Sequence, residues 1–99
     1  MNVHKIRLID NTYDLLIADE LLKKFIAAKI AFIENRIKET DATHKGEINE
    51  LKSRIKDLIA ESRSLDLFFE EHDGENVEME IGCTIVMSVK DNESKQLIS

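Results

Sequence analysis

Three histidines, one cysteine and an uneven spread of carboxylates are the side chains with which this 99-residue chain could do chemistry. His4, His44 and His72 lie far apart, none has a histidine four positions away, and Cys83 has no second cysteine. Zinc sites draw their ligands from closely spaced His and Cys, so the pattern predicts no metal centre. Serine and threonine occur only as isolated residues, and no glycine-rich loop precedes a helix, which leaves neither an activated nucleophile nor a phosphate cradle. The expectation is a non-enzymatic protein without a cofactor. Cys83 stands in an alternating apolar run, where a free cysteine serves as a small hydrophobe.

The carboxylates carry more information. Residues 64–89 hold seven acids (Asp66, Glu70, Glu71, Asp73, Glu75, Glu78 and Glu80) and no Lys or Arg, whereas the other 73 positions hold thirteen acids and fourteen bases. The net charge of -6 is therefore concentrated in one segment. Glu78 and Glu80 alternate with Val77, Met79 and Ile81, the pattern of a half-solvated strand. A sharper alternative is an acidic surface that steers toward a basic partner or imitates a nucleic-acid backbone. Direct binding of nucleic acid would require a basic stripe, and none is present. A second polar group, Glu39, Asp41, His44 and Glu47, falls within "ETDATHKGE" and marks a candidate partner-binding site if that stretch sits at the end of two helices.

The hydrophobic periodicity supplies those helices. From Asp19 onward Leu22, Ile26, Ile30 or Lys29, Ile33 and Ile37 form one seam, and Leu21, Phe25, Ala28 and Phe32 form a second stripe beside it. The helix should end near Thr40, with Gly46 available for a left-handed backbone. Ile48, Leu51, Ile55, Leu58, Ser62 and Leu65 then follow heptad spacing. A short connection favours an antiparallel neighbour, so residues 19–65 are expected to form a helical hairpin with arms of about 20 residues, about 30 Å long.

Either side of the hairpin the pattern turns to strands. "VHKIRLI" alternates imperfectly, and "LLIA" fits a returning strand or an early helical turn, which makes residues 1–18 an N-terminal strand region. After Ser64 the period becomes two: Val77, Met79, Ile81, Cys83, Ile85, Met87 and Val89 share one parity, Asp73-Gly74-Glu75-Asn76 carries turn chemistry, and Gly82 is placed for a bend, bulge or break. Residues 66–99 are accordingly expected to form a β-hairpin region, with "DNESKQLIS" as a turn and a short final strand. The whole predicts a single α+β domain: an antiparallel, coiled-coil-like helical hairpin with a small antiparallel β-sheet built from the C-terminal hairpin, which the N-terminal strand can join.

With 34% charged and 42% hydrophobic residues and no run of the roughly 18–20 apolar residues that a span needs, no membrane association is expected. "MNVHKIRLIDNT" lacks the features of a secretory signal, so the cytoplasm is the expected compartment.

The hairpin followed by "IGCTIVMSVKDNESKQL" resembles Gre-type transcript-cleavage (elongation) factors, over Arg54 to about Leu97. In that family a long helical hairpin leads into a small β-rich domain and enters the secondary channel of RNA polymerase, where acids at its tip help hold a catalytic magnesium. The resemblance implies a transcription regulator that presents a helical prong to RNA polymerase. The family's acidic tip motif is absent, since "ETDATHKGE" offers Glu39, Asp41 and Glu47 in a different pattern, and no catalytic residue carries over. Two further functional classes fit the residues: a homo-oligomer, such as a homodimer, packed through Leu21, Phe25 and Phe32, and an acidic inhibitor or decoy that occupies a basic nucleic-acid-binding site.

Overall fold

The computed structural model describes residues 2–90. The element order is β1 (Val3–Asp14), α1 (Leu15–Glu39), α2 (Lys45–Glu71) and β2 (Glu78–Ser88), an α+β fold with a helical hairpin and a two-stranded antiparallel sheet. The chain divides into two compact units: the strand pair, from residues up to Thr12 and from Glu80 onward, and the hairpin, from Tyr13 to Met79.

In the hairpin unit α1 starts at Leu15, four residues before the expected Asp19. The cause is Asp14, whose extended backbone (φ -69°, ψ 165°) and carboxylate, accepting from the Ile17 N–H at 2.9 Å, make it an N-cap. "LLIA" is thus the first helical turn and not a returning strand. At the other end α2 continues to Glu71, past the expected limit at residue 65. Its heptad seam explains this: Ile48, Leu51, Ile55, Leu58, Ser62 and Leu65 are all half-buried as expected, and Phe69 and His72 extend the same 3–4 spacing. The arms are 25 and 27 residues long, about 37 and 40 Å at 1.5 Å per residue.

The seam of α1 faces that of α2, with Ala18 and Ile33 fully or nearly fully buried (0% and 4% exposed) and Leu22, Ile26, Ile30 and Ile37 half-buried. Two helices alone enclose one line of side chains and no more. The second stripe is therefore left open: Phe25 is 43% and Phe32 66% exposed, while Leu21 is half-buried. Between the arms, Lys23 Nζ contacts Asp66 of α2 and, at 3.2 Å, Asp19 one turn away on α1. The hydrogen bond to Asp66, then that to Asp19, raises the Lys23 pKa above its ordinary value.

Past α2 the chain turns at Gly74, whose φ of +82° lies in the left-handed region that disfavours any side chain. Gly46, expected to serve that purpose, instead lies inside the first turn of α2 with no positive φ.

In the strand unit β2 pairs with β1. Residues 66–99 therefore do not supply the sheet by themselves: residues 66–71 are helical and the partner of β2 is the N-terminal strand. The expected final strand "DNESKQLIS" lies outside the described residues. The Val89 N–H donates to the Asn2 carbonyl at 2.7 Å, which sets Asn2 opposite Val89 in antiparallel register. β2 runs unbroken through Gly82, which excludes the break among the bend, bulge or break expected there. Its open strand edge leaves the backbone room to continue, and nothing lies within 4 Å of a Cβ placed there.

Candidate functional site

The link between the helices is built by a few short polar contacts. Thr40 closes α1: its N–H donates to the Ile37 carbonyl (3.2 Å) and its hydroxyl to the Arg36 carbonyl (2.7 Å). These bonds occupy two carbonyls that a helix end otherwise leaves unpaired. Asp41 then folds the chain back on itself, with Oδ1 accepting from both the N–H and the hydroxyl of Thr43, each at 3.0 Å. Its carbonyl takes the His44 N–H at 2.9 Å, and the His44 carbonyl in turn takes the Ile48 N–H at 3.1 Å, which opens α2.

All four residues singled out for the tip come together. Glu39 ends α1, Asp41 lies in the link, His44 is the N-cap of α2 and Glu47 stands in its first turn. With Arg36 and Thr40 they line an open concavity of about 400 Å³. His44 Nδ1 is 3.9 Å from Glu47 Oε2. The Thr43 N–H, followed by its hydroxyl, holds the Asp41 carboxyl below its ordinary pKa. Hydrogen bonds donated to a carboxylate favour its charged form. Asp41 is thus a fixed anion at neutral pH, with Oδ1 committed to the turn.

The tip is mixed in charge. Across residues 36–47, Arg36, Lys38 and Lys45 balance Glu39, Asp41 and Glu47. Arg36 and Lys38 lie in the last turn of α1 and Glu47 in the first turn of α2, each where the helix dipole favours its sign. No group of three or more His, Cys, Asp or Glu side chains among the described residues is arranged to hold a metal ion. The arrangement offers hydrogen bonds and complementary charges to a protein surface, at the end of a two-helix arm.

The other residues proposed for binding are found in two places. Leu21, Phe25 and Phe32 lie along α1, with the two phenylalanines exposed on the stripe that α2 leaves uncovered. Glu78 and Glu80 begin β2 and are exposed. Sequence reasoning missed Thr43, although Asp-x-Thr at the start of a link is a local signature for a side-chain-to-backbone turn. It also missed Lys23, whose spacing from Asp19 was visible but whose contact with Asp66 depends on the hairpin.

No helix among the described residues is long and apolar enough to cross a membrane. Comparison with protein-family models, with curated proteins and with solved structures finds no match.

Proposed function

We propose that this protein is a non-enzymatic modulator that binds another protein through the tip of its helical hairpin, with RNA polymerase as the first partner to test. The observation that carries the reading is the gathering of Glu39, Asp41, His44 and Glu47 at one end of arms about 37–40 Å long. A narrow two-helix arm reaches into a groove or channel that a rounder domain cannot enter. The choice of RNA polymerase rests on the resemblance of Arg54 to about Leu97 to Gre-type factors. The balanced charges and the commitment of Asp41 to its turn favour a contact role over catalysis. The site of action is taken to be the cytoplasm, where that partner resides.

The test is capture from cell lysate on the purified chain and on two charge-reversed variants. The tip reading expects the wild type and Glu78→Lys/Glu80→Lys to retain RNA polymerase subunits and Asp41→Lys/Glu47→Lys to lose them. If the variant at Glu78 and Glu80 loses the partner and the tip variant keeps it, the acidic decoy reading takes its place.

A second reading is favoured by Phe25 and Phe32, two large apolar side chains about two turns apart on α1 that remain exposed. It makes the protein a homo-oligomer packed through Leu21, Phe25 and Phe32. Loss of self-association in Phe25→Ser/Phe32→Ser, with helix content retained, supports it; unchanged sedimentation removes it.

A further inference from the structure

The outer edge of β2 differs from that of β1 in a way that bears on self-association. Because the Val89 N–H donates to the Asn2 carbonyl, strand alternation turns the main-chain groups of the alternate residues of β2, Glu78, Glu80, Gly82, Thr84, Val86 and Ser88, to the other side. Among the described residues nothing pairs with that edge. Soluble proteins blunt open edges with charged side chains, above all lysine. β1 carries Lys5, Arg7 and Asp10 along its length, whereas the nine residues Ile81–Val89 carry no charge. A two-stranded sheet is also marginal until further strands extend it.

The sequence of this edge is complementary to itself. If two copies of β2 run antiparallel about a twofold axis at Thr84, the residues with outward main-chain groups meet: Thr84 faces its copy, Gly82 faces Val86, Glu80 faces Ser88 and Glu78 faces Lys90. On the other side of the sheet Cys83 faces Ile85, Ile81 faces Met87 and Met79 faces Val89. Each apolar residue there meets an apolar residue, and the acid at one end meets the base at the other. Ile85, Met87 and Val89, which are 40%, 45% and 73% exposed, would each gain a cross-strand neighbour. A shift of the axis to Cys83 loses the Glu78–Lys90 match, and a shift to Ile85 exchanges it for Glu80 opposite Lys90.

We propose that the outer edge of β2 is an interface between two copies of this chain, paired antiparallel about Thr84 into a continuous four-stranded sheet. This surface is separate from both the hairpin tip and the Phe25–Phe32 stripe. The pairing is driven by main-chain hydrogen bonds along the open edge and by cross-strand apolar contacts, with the Glu78–Lys90 pairs closing each end.

Sedimentation of the full chain together with cysteine cross-linking tests it. Directly opposed hydrogen-bonded residues have Cα atoms about 5.5 Å apart, within disulfide range, whereas the two copies of Cys83 are diagonal neighbours at about 7–8 Å, beyond it. Mild oxidation should therefore link Thr84→Cys/Cys83→Ser into a dimer and leave the wild type unlinked. Independently, Glu78→Lys should weaken dimerisation roughly 2- to 30-fold, since it reverses two symmetric charge pairs, and Glu78→Lys/Lys90→Glu should restore it. A strict monomer at the highest soluble concentration overturns the proposal. So does a dimer that links through Cys83, or one that ignores both charge variants and is lost on Phe32→Ser.

Discussion

Replacing Ile33 and Phe32 separately by alanine tests the hairpin packing at adjacent residues of one helix. Ile33 is 4% exposed in the seam against α2, and Phe32 is 66% exposed on the outer stripe. Removing a buried isoleucine to Cβ costs about 2–5 kcal/mol, from lost transfer energy and the cavity left behind. Phe32 has about a third of its surface covered; full burial of a phenylalanine is worth about 1.5–3 kcal/mol, so its truncation forfeits about 0.5–1 kcal/mol. Alanine is the better helix former in both places and returns a few tenths of a kcal/mol. The net expectation is a loss of at least about 1.5 kcal/mol for Ile33→Ala and no more than about 0.5 kcal/mol for Phe32→Ala. In a chain of this size 1 kcal/mol moves the Tm by about 4–8 °C, so the first variant should melt at least about 6 °C lower and the second within about 4 °C of the wild type. Thermal melts followed by far-UV circular dichroism at two protein concentrations supply the assay. Equal shifts, or a larger one for Phe32→Ala at low concentration, would refute the packing; a Phe32→Ala loss that grows with concentration would identify the outer stripe as an interface.

Three further outcomes follow from local geometry. Gly74→Ala should destabilise the chain by about 1–2 kcal/mol through its left-handed φ, whereas Gly82→Ala, at a strand position with no neighbour within 4 Å of the new Cβ, should be neutral or stabilising by up to about 1 kcal/mol; urea titrations compare them. Asp41 should titrate below an ordinary aspartate in carbon-detected NMR and move back part of the way in Thr43→Val, which removes the hydroxyl donor and keeps the N–H. Because its folded pKa is depressed, the stabilisation from Asp41 is present above the ordinary aspartate pKa and is lost as pH falls through the folded value, so Asp41→Asn should flatten stability only on that acidic side. Glu71→Lys at the C-terminal end of α2, which has no basic residue in its last turn, should raise the Tm through the helix dipole by the equivalent of about 0.3–1 kcal/mol.

The residues that sequence reasoning placed correctly are those whose partners are near in the chain. The α2 seam from Ile48 to Leu65 obeys a heptad because one facing helix covers it, and the link is short enough that Glu39, Asp41, His44 and Glu47 must meet whatever the details of the turn. The C-terminal end of α2 was hidden by coincidence: Leu65, Leu67 and Phe69 also alternate, so a strand period fits the stretch in which Leu65, Phe69 and His72 continue the helix. At β1 the alternation points to His4, Ile6 and Leu8, yet Ile9, on the parity of Lys5 and Arg7, is the buried residue at 6% exposure. The pairing of β1 with β2 spans the whole hairpin, and no local pattern encodes a contact of such sequence separation.

The central claim, that the hairpin tip contacts a protein partner, is tested most directly by photo-crosslinking from the tip itself. A photoreactive amino acid at Ala42, an exposed residue of the link, and a second at Ile59, on the flank of α2, would be activated in cells and the adducts identified by mass spectrometry. A tip contact gives a single dominant adduct from Ala42 on a subunit of RNA polymerase, lost in Asp41→Lys/Glu47→Lys, and little from Ile59. Adducts from Ile59 with none from Ala42, or an Ala42 adduct that survives the tip substitutions, would contradict it.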